Sequence, residues 1–327
     1  LSLRRQRQMC IRDRGAINIS TYDSNLTVSQ SVETTNATSS AIILTAASNT
    51  AAGTSTGGNV VLSGTPSITT GTNGRVVIYS GSVNDSTGVT SYVGSGTGNF
   101  RYNSKVGTSN FTTALGSSGK YAVYRQAVSA TVATNSQTVV YGDTITLAGT
   151  TSGMVNGDLP SYSISSPLYA TSGNLKVGSY TILGGGALGL GYSVTATNGT
   201  LTVGQKAVTI SGFAVADKTY DGTTTATVTN SGTVSGQLVG DTVTVSSVSA
   251  AFTNKHAGLQ NLVISGGTLS GADAANYTSS ISGSTTATVN AKAVTLTAPV
   301  ISKTYNSDTA YTTVAANLTS LSTQLGV

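Results

Sequence analysis

Cysteine, tryptophan, histidine and glutamate are nearly missing from this chain of 327 residues, which has one Cys, no Trp, one His (His256) and one Glu (Glu33). Each gap removes a class of chemistry. A single Cys, at position 10, leaves no intrachain disulfide, and Cys and His together fall short of the three or four ligands that zinc and iron sites take. No cofactor or metal is therefore expected. Charged residues are 8% of the chain, against about 25% in ordinary globular proteins, so acid–base pairs are scarce. No apolar run reaches the roughly 18 residues that span a bilayer as a helix. Good helix formers are also few.

What is plentiful is Gly, Ser, Thr, Val, Ile and Tyr, with 39 Gly and 15 Tyr against four Phe. Gly and Ser with little charge would suit a disordered chain, but disorder requires too few apolar residues to offset the entropy of ordering. Here 38% are hydrophobic. They alternate with polar residues in runs such as Ala207-Val-Thr-Ile-Ser211 and Asp241-Thr-Val-Thr-Val245, the period-two signature of half-buried strands. The expected fold class is all-β.

Residues 1–14, LSLRRQRQMCIRDR, stand apart. They hold five of the eight Arg and the only Cys, and no apolar stretch follows that would make a signal peptide. Met9–Arg14 resembles the translation of a transposon end joined to DNA during library preparation, which makes residues 1–14 a sequencing-adaptor artefact. Without them five Arg and Asp13 go, and the net charge falls from +5 to +1. The pI of about 9.2 is then no argument for nucleic acid, and no nucleic-acid partner is expected. A chain that has also lost Cys10 can be exported without depending on oxidation.

In residues 15–125, Ala41–Thr45, Gly58–Gly64 and Gly74–Gly81 repeat short apolar strands 18 and 16 residues apart. Such spacing suits the end of a β-solenoid, whose rungs cover one another's apolar edges; a sandwich of short strands is the alternative. Near residue 126 the texture changes. Tyr141-Gly142-Asp143, Gly157-Asp158, Val177–Ile182 with Tyr180, and Gly199–Val203 mark a unit over 126–205, with turns expected at Pro160, Pro167 and Gly184–Gly186. A third unit spans 206–291. Its opening, Lys206-Ala-Val-Thr-Ile210, returns as Lys292-Ala-Val-Thr-Leu296, the start of a further, truncated unit over 292–327 in which Tyr305 is kept but Asn306-Ser307 replaces Asp221-Gly222. The sequence thus reads as a fragment of a longer protein at both ends.

Residues 126–205 resemble the MBG (YG-type) module of bacterial surface adhesins. Four blocks of 206–291 resemble the YDG module found in tandem in filamentous-haemagglutinin-like exoproteins: Lys218–Thr223 with Tyr220, Asp221 and Gly222; Gly240–Val243 with Asp241; Phe252–Gly258 with His256 and Gly258; and Leu269–Tyr277 with Asp273, Asn276 and Tyr277. Gly94–Asn103 looks like the stretch that precedes such modules. The resemblance implies tandem small β-sandwich or β-grasp-like modules, secretion or display at the bacterial surface, two-partner secretion with an outer-membrane partner, and attachment to a host-cell or matrix surface or glycan.

Read for chemistry, the same residues look structural. His256 has no carboxylate or second His beside it and suits a turn. Asp217 and Asp221 lie four apart, and Asp273 is near Asn276, but no stretch matches a calcium-loop pattern, so each Asp is expected to accept backbone N–H bonds at turns. Asp221-Gly222 is a tight-turn signal, read as type I′, with the Tyr220 ring closing one end of the core. Gly184–Gly191 lacks the Lys-Ser/Thr of a phosphate loop and reads as a loop between strands. Eight Asn-X-Ser/Thr sequons, among them Asn84 and Asn276, allow glycosylation. The expected function is that of a non-catalytic modular stalk with many weak contacts. The alternatives are a pure spacer or a specific glycan- or matrix-binding module.

Overall fold

Strands carry almost the whole structure, as the shortage of helix formers requires. The computed structural model describes residues 11–185, 187–295, 297, 304, 305 and 307. Two compact units result: residues 1–168 with 177–204, and residues 169–176 with 205–327.

The first unit opens with β1 (Ile11–Asp13), β2 (Ile17–Ser20), β3 (Leu26–Val28), β4 (Val32–Thr34), β5 (Ile42–Thr45), β6 (Val60–Leu62), β7 (Ile68–Thr69) and β8 (Arg75–Ser80). Helix α1 (Val89–Val93), β9 (Phe100–Arg101) and β10 (Gly119–Tyr124) follow. These strands form three stacks, β1-β4-β7, β3-β6 and β2-β5-β8-β10-β9, in which every pair is parallel. Parallel stacking on separate faces is a solenoid and excludes the short-strand sandwich, whose neighbours would run antiparallel. The sequence steps of 18 and 16 also find their meaning. Ile42 of β5 pairs with Val76 of β8, 34 residues on, while the intervening β6 lies on another face beside β3. The two steps are successive corners of one coil.

Apolar side chains from all three faces meet inside. Ile42, Leu44, Val60 and Ile78 are fully buried, joined by Val89 and Val93 of α1. Beyond them the ring of Tyr124 stacks between Phe100 at 6.4 Å and Tyr102 at 5.9 Å, closing the end of the coil with aromatic surface. Ile11–Asp13 pair with Val32–Thr34 through backbone groups, which any sequence supplies, and Arg12 Nε reaches Glu33 Oε2 at 3.1 Å in an exposed ion pair. Residues 1–10, with Cys10, lie outside the described residues.

The rest of the first unit is the MBG-like module: β11 (Ser129–Thr134), β12 (Gln137–Val140), β13 (Gly149–Ser152), β14 (Ser161–Ile164), β15 (Gly178–Gly185), a 3-10 turn (Ala187–Leu190), β16 (Ser193–Thr197) and β17 (Gly199–Gly204). Its two sheets have the orders β13-β11-β16 and β12-β17-β15-β14. The YDG-like module of the second unit has β18 (Lys206–Val215), β19 (Lys218–Thr219), β20 (Val228–Ser235), β21 (Thr244–Phe252), β22 (Gly258–Ser270), a 3-10 turn (Ala274–Asn276), β23 (Tyr277–Ile281) and β24 (Thr286–Asn290). Its sheets are β20-β18-β23 and β19-β24-β22-β21. Strand for strand this is the same fold, with the same neighbours and directions. The two sheets of each module face one another. An added Cβ on Gly184 of β15 would stand 2.5 Å from Val132 Cγ1 of β11, and one on Gly267 of β22 would stand 3.1 Å from Ile210 Cδ1 of β18. The arrangement is a β-sandwich; where a β-grasp needs a helix, the described residues of each module show one 3-10 turn.

In both modules the first strand changes sheet without changing direction. Thr134, at the end of β11, donates its hydroxyl to the Ile182 carbonyl at 3.1 Å, level with the start of β17, whereas Val140 at the end of β12 pairs with Gly204 at the far end of β17. Since β16 and β17 run parallel to β11 and β12, the chain enters at one end of the module and leaves at the other. Ser129–Val140 is long enough to advance the chain about 40 Å at ~3.3 Å per residue. The YDG-like module repeats the path, from Lys206 beside Tyr277 to Thr219 beside Asn290.

Four local expectations are corrected. Gly184 and Gly185 are in β15 rather than in a turn, with β11 crossing too closely at Gly184 for a larger side chain, and Ala187–Leu190 form a 3-10 turn rather than an open loop. The strand expected from Asp241 begins at Thr244, since the Asp241 carboxylate is engaged elsewhere. Asp221-Gly222 is not a type I′ hairpin turn: only Gly222 has positive φ (81°), and β19 pairs with β24 instead of turning back on itself. The Asp221 carboxylate instead accepts the Thr223 N–H at 2.9 Å, an Asx turn. Of the unit expected over 292–327, nearly all lies outside the described residues; Tyr305, which is described, is exposed.

Candidate functional site

The two modules share more than topology. In the first, Gly157 (φ 73°) turns the chain so that Asp158 N–H reaches the Val155 carbonyl at 3.0 Å. Tyr192, separated from the 3-10 turn by Gly191, donates its hydroxyl to Asp158 Oδ2 at 3.0 Å and accepts Val155 N–H at 3.1 Å. In the second, Gly240 (φ 92°), Asp241, Leu238 and Tyr277 do the same. Asp241 N–H bonds the Leu238 carbonyl at 3.2 Å, Tyr277 donates to Asp241 Oδ2 at 2.5 Å, and Leu238 N–H donates to the Tyr277 hydroxyl at 2.9 Å. Each module thus closes one end with a ring of three hydrogen bonds tying a Gly-Asp turn to a tyrosine more than 30 residues on.

Each aspartate takes a further donor from outside its module's strands. Asp158 Oδ2 also accepts the hydroxyl of Tyr102 at 2.6 Å, from the last solenoid rung. Tyr102 in turn accepts Asn156 Nδ2 at 3.0 Å, and its ring lies 4.4 Å from that of Tyr192. In the second unit Asp241 Oδ1 accepts Ser172 N–H at 3.2 Å, and Asp273 Oδ1 accepts Thr171 N–H at 3.2 Å while its Oδ2 accepts Thr242 N–H at 3.0 Å. Gly191 suits its place: its φ is 97°, and a Cβ there would collide with the Tyr102 carbonyl oxygen.

Burial decides the electrostatics. Asp158 is 5% exposed and its Oδ1 has no partner among the described residues. Desolvation raises its carboxyl pKa, against the bonds from Tyr102 and Tyr192 and the charge of Arg101. Desolvation first and the neighbouring carboxylate second push the Tyr102 phenol far up; Tyr277 is pushed up to about 12, by burial and then by its bond to Asp241. In the other direction, the Thr242 N–H holds Asp273 below its ordinary value, and Lys218 does so for exposed Asp221.

These signs give opposite acid responses. A carboxyl with raised folded pKa favours folding when protonated, and that contribution is lost as pH rises from 3.8 through the raised value. One with depressed folded pKa contributes stability above 3.8 and loses it as pH falls. Acidification from pH 7 to pH 3 should therefore strengthen the first unit through Asp158 and weaken the second through Asp273 and Asp221. Amide hydrogen exchange resolved by unit checks this, and Asp158→Asn should remove the first unit's gain.

The other signature residues are placed as follows. Tyr141 and Tyr220 occupy equivalent positions, their N–H groups donating at 2.8 Å to the Gly204 and Asn290 carbonyls at the ends of the last strands. Tyr141 is fully buried, and Tyr220 packs against Phe252, Leu262 and Val289. Gly142 has positive φ, 90°, and Asp143 Oδ2 accepts Val140 N–H at 3.0 Å. Tyr180 is buried in β15 opposite Leu201. Gly258 (φ 127°) starts β22, and Asn276, 3% exposed, ends the 3-10 turn, too enclosed to carry a glycan. His256 is exposed, its N–H on Asn254 Oδ1 at 2.9 Å and its carbonyl on Gln260 Nε2 at 3.1 Å. Asp217 and Asp221 do not converge on a common point: Asp217 accepts Thr288 N–H, and Asp221 takes Lys218 Nζ at 2.8 Å. Among the described residues no three of His, Cys, Asp and Glu come together, and no helix is long and apolar enough to cross a membrane.

Two buried arginines were not singled out in the sequence. Arg125, 2% exposed, donates to the carbonyls of Ala46 at 2.6 Å, Gly58 at 2.8 Å and Thr56 at 3.2 Å. Arg101, equally enclosed, donates to four carbonyls between Gly98 and Ala114. Their only signal was rarity: residues 15–327 hold three Arg, all in the solenoid. A shallow cleft of about 590 Å³, lined by Asn84, Ser86, Thr90, Ser91 and Asn156, offers hydroxyls and amides and no acid–base group.

Residues 204–288 match the YDG domain family, and residues 130–202 match the MBG domain (YGX type) family. No curated protein and no solved structure matches the chain.

Proposed function

We propose that this chain is a section of a large secreted or cell-surface bacterial adhesin, non-catalytic, serving as a stalk and as a low-affinity multivalent surface. One observation carries the reading: each module takes the chain in at one end and releases it at the other, so a series of modules adds length rather than bulk. The MBG and YDG matches support a modular extracellular protein of adhesin type. An outer-membrane secretion partner and a host-cell, matrix or glycan ligand belong to the same proposal. The polar cleft beside Asn156 and exposed Tyr22 are where a hydroxyl-rich ligand could be met.

Weak sites become effective by number. Beads coated densely with the chain should retain on epithelial cells or matrix at least 100-fold better than the single chain binds, and Tyr22→Ala should lower retention several-fold if that ring stacks on sugar. Retention no better than that of beads coated with an unrelated β protein would leave the spacer reading in its place.

A further inference from the structure

We propose that the Gly-Asp turn and its tyrosine form a seat that receives whatever segment comes to that end of the module, with the aspartate carboxylates as acceptors. The proposal rests on the stalk reading. Two independent instances carry it. In the first unit the arriving donor is a phenol, Tyr102, on Asp158. In the second it is a pair of backbone N–H groups, Ser172 on Asp241 and Thr171 on Asp273, from the segment Tyr169–Lys176 that the chain reaches between β14 and β15 and that belongs to the second unit.

The donors differ in chemistry and in fold, yet they meet the same place on the same scaffold. A carboxylate held by its own module through one oxygen keeps acceptor capacity for a newcomer, and it accepts from N–H and O–H alike. The seat thus selects for a donor-bearing loop tip or rung end and not for a particular side chain. The partner it fits is a neighbouring β element of the same protein. Asp273 is 1% exposed and Tyr277 3%, so the seat is not a solvated turn that merely happens to accept a bond.

The test is amide hydrogen exchange on the whole chain, comparing Asp241→Ala and Asp273→Ala, which remove the acceptors, with Asp221→Ala, which removes the Asx turn of the same module. Exchange at Thr171 and Ser172 should quicken at least ten-fold in the first two and not in the third, with Ala287 and Val289 of β24 still protected. Unchanged exchange at 171 and 172 in the protected variants would overturn the proposal. Should Asp241→Ala also expose β24, the donor is removed instead: Thr171→Pro should raise the Asp273 carboxyl pKa measured by carbon NMR, and an unmoved value would overturn the proposal equally. Either failure would leave module length unaffected, so it is distinguishable from failure of the stalk reading.

Discussion

Asp158→Ala should lower the melting temperature of the first unit by about 10 °C, the consequence of ~3 kcal/mol lost in a body of this size. The substitution removes the acceptor that the hydroxyls of Tyr102 and Tyr192 share; Tyr192 can turn to the Val155 carbonyl at 3.3 Å, while Tyr102 is left with a stranded buried donor, which costs about 1–3 kcal/mol. Removing a desolvated carboxylate recovers part of this, since burial already works against its charge. Asp158→Asn retains one acceptor oxygen in the same place and should fall by no more than about a third as much. Calorimetry on the three proteins checks the order. Equal losses for Ala and Asn would mean that the charge, not the acceptor, holds the site together.

Arg125→Ala should be at least as damaging, through a different route. The guanidinium reaches the carbonyls of buried Ala46 and Gly58 and of exposed Thr56 by its fork of N–H donors. Truncation strands the two buried acceptors of Ala46 and Gly58 and opens a cavity where a long side chain lay, on the order of 3–5 kcal/mol together. Lysine cannot restore the fork, because one ammonium serves the three carbonyls from a single point, so Arg125→Lys should recover less than half. Arg12→Ala is the control. Its ion pair with Glu33 is exposed, and such pairs contribute about 0–1 kcal/mol. Denaturant unfolding followed by tyrosine fluorescence separates the three.

Much of the fold was legible in the sequence because period-two alternation and turn residues report directly on strands. Ala207–Ser211 alternates exposed and buried through Ile210 in β18 as its sequence alternates. The solenoid was legible as repeated short strands, but not its true coil length, because apolar runs do not say which face they serve. The distinction between sandwich and β-grasp needed strand pairing between residues some 70 apart, such as Lys206 with Tyr277, and no local pattern encodes that.

The candidate site was half visible. Asp241, Asp273 and Tyr277 stood out within blocks typical of their module, yet nothing in the sequence joined Asp241 to Tyr277 across 36 residues. Tyr102 and Asp158 drew no attention as a pair, since one lies in the solenoid and the other in the next module. Once the two modules are superposed strand by strand, the equivalence of Gly157-Asp158 with Gly240-Asp241 is evident, and the spacing to Tyr192 and Tyr277 would have been a usable signal. The type I′ reading of Asp221-Gly222 failed because a hairpin needs the flanking strands to pair with each other, and β19 is claimed by β24.

The most direct measurement is small-angle X-ray scattering on the chain lengthened by one, two and four extra serial copies of residues 206–290. If each module carries the chain from one end to the other, the maximum dimension should grow by about 40 Å per copy, in proportion to copy number. Growth that stalls after the first copy, or that follows the cube root of mass as in a compact body, would contradict the stalk.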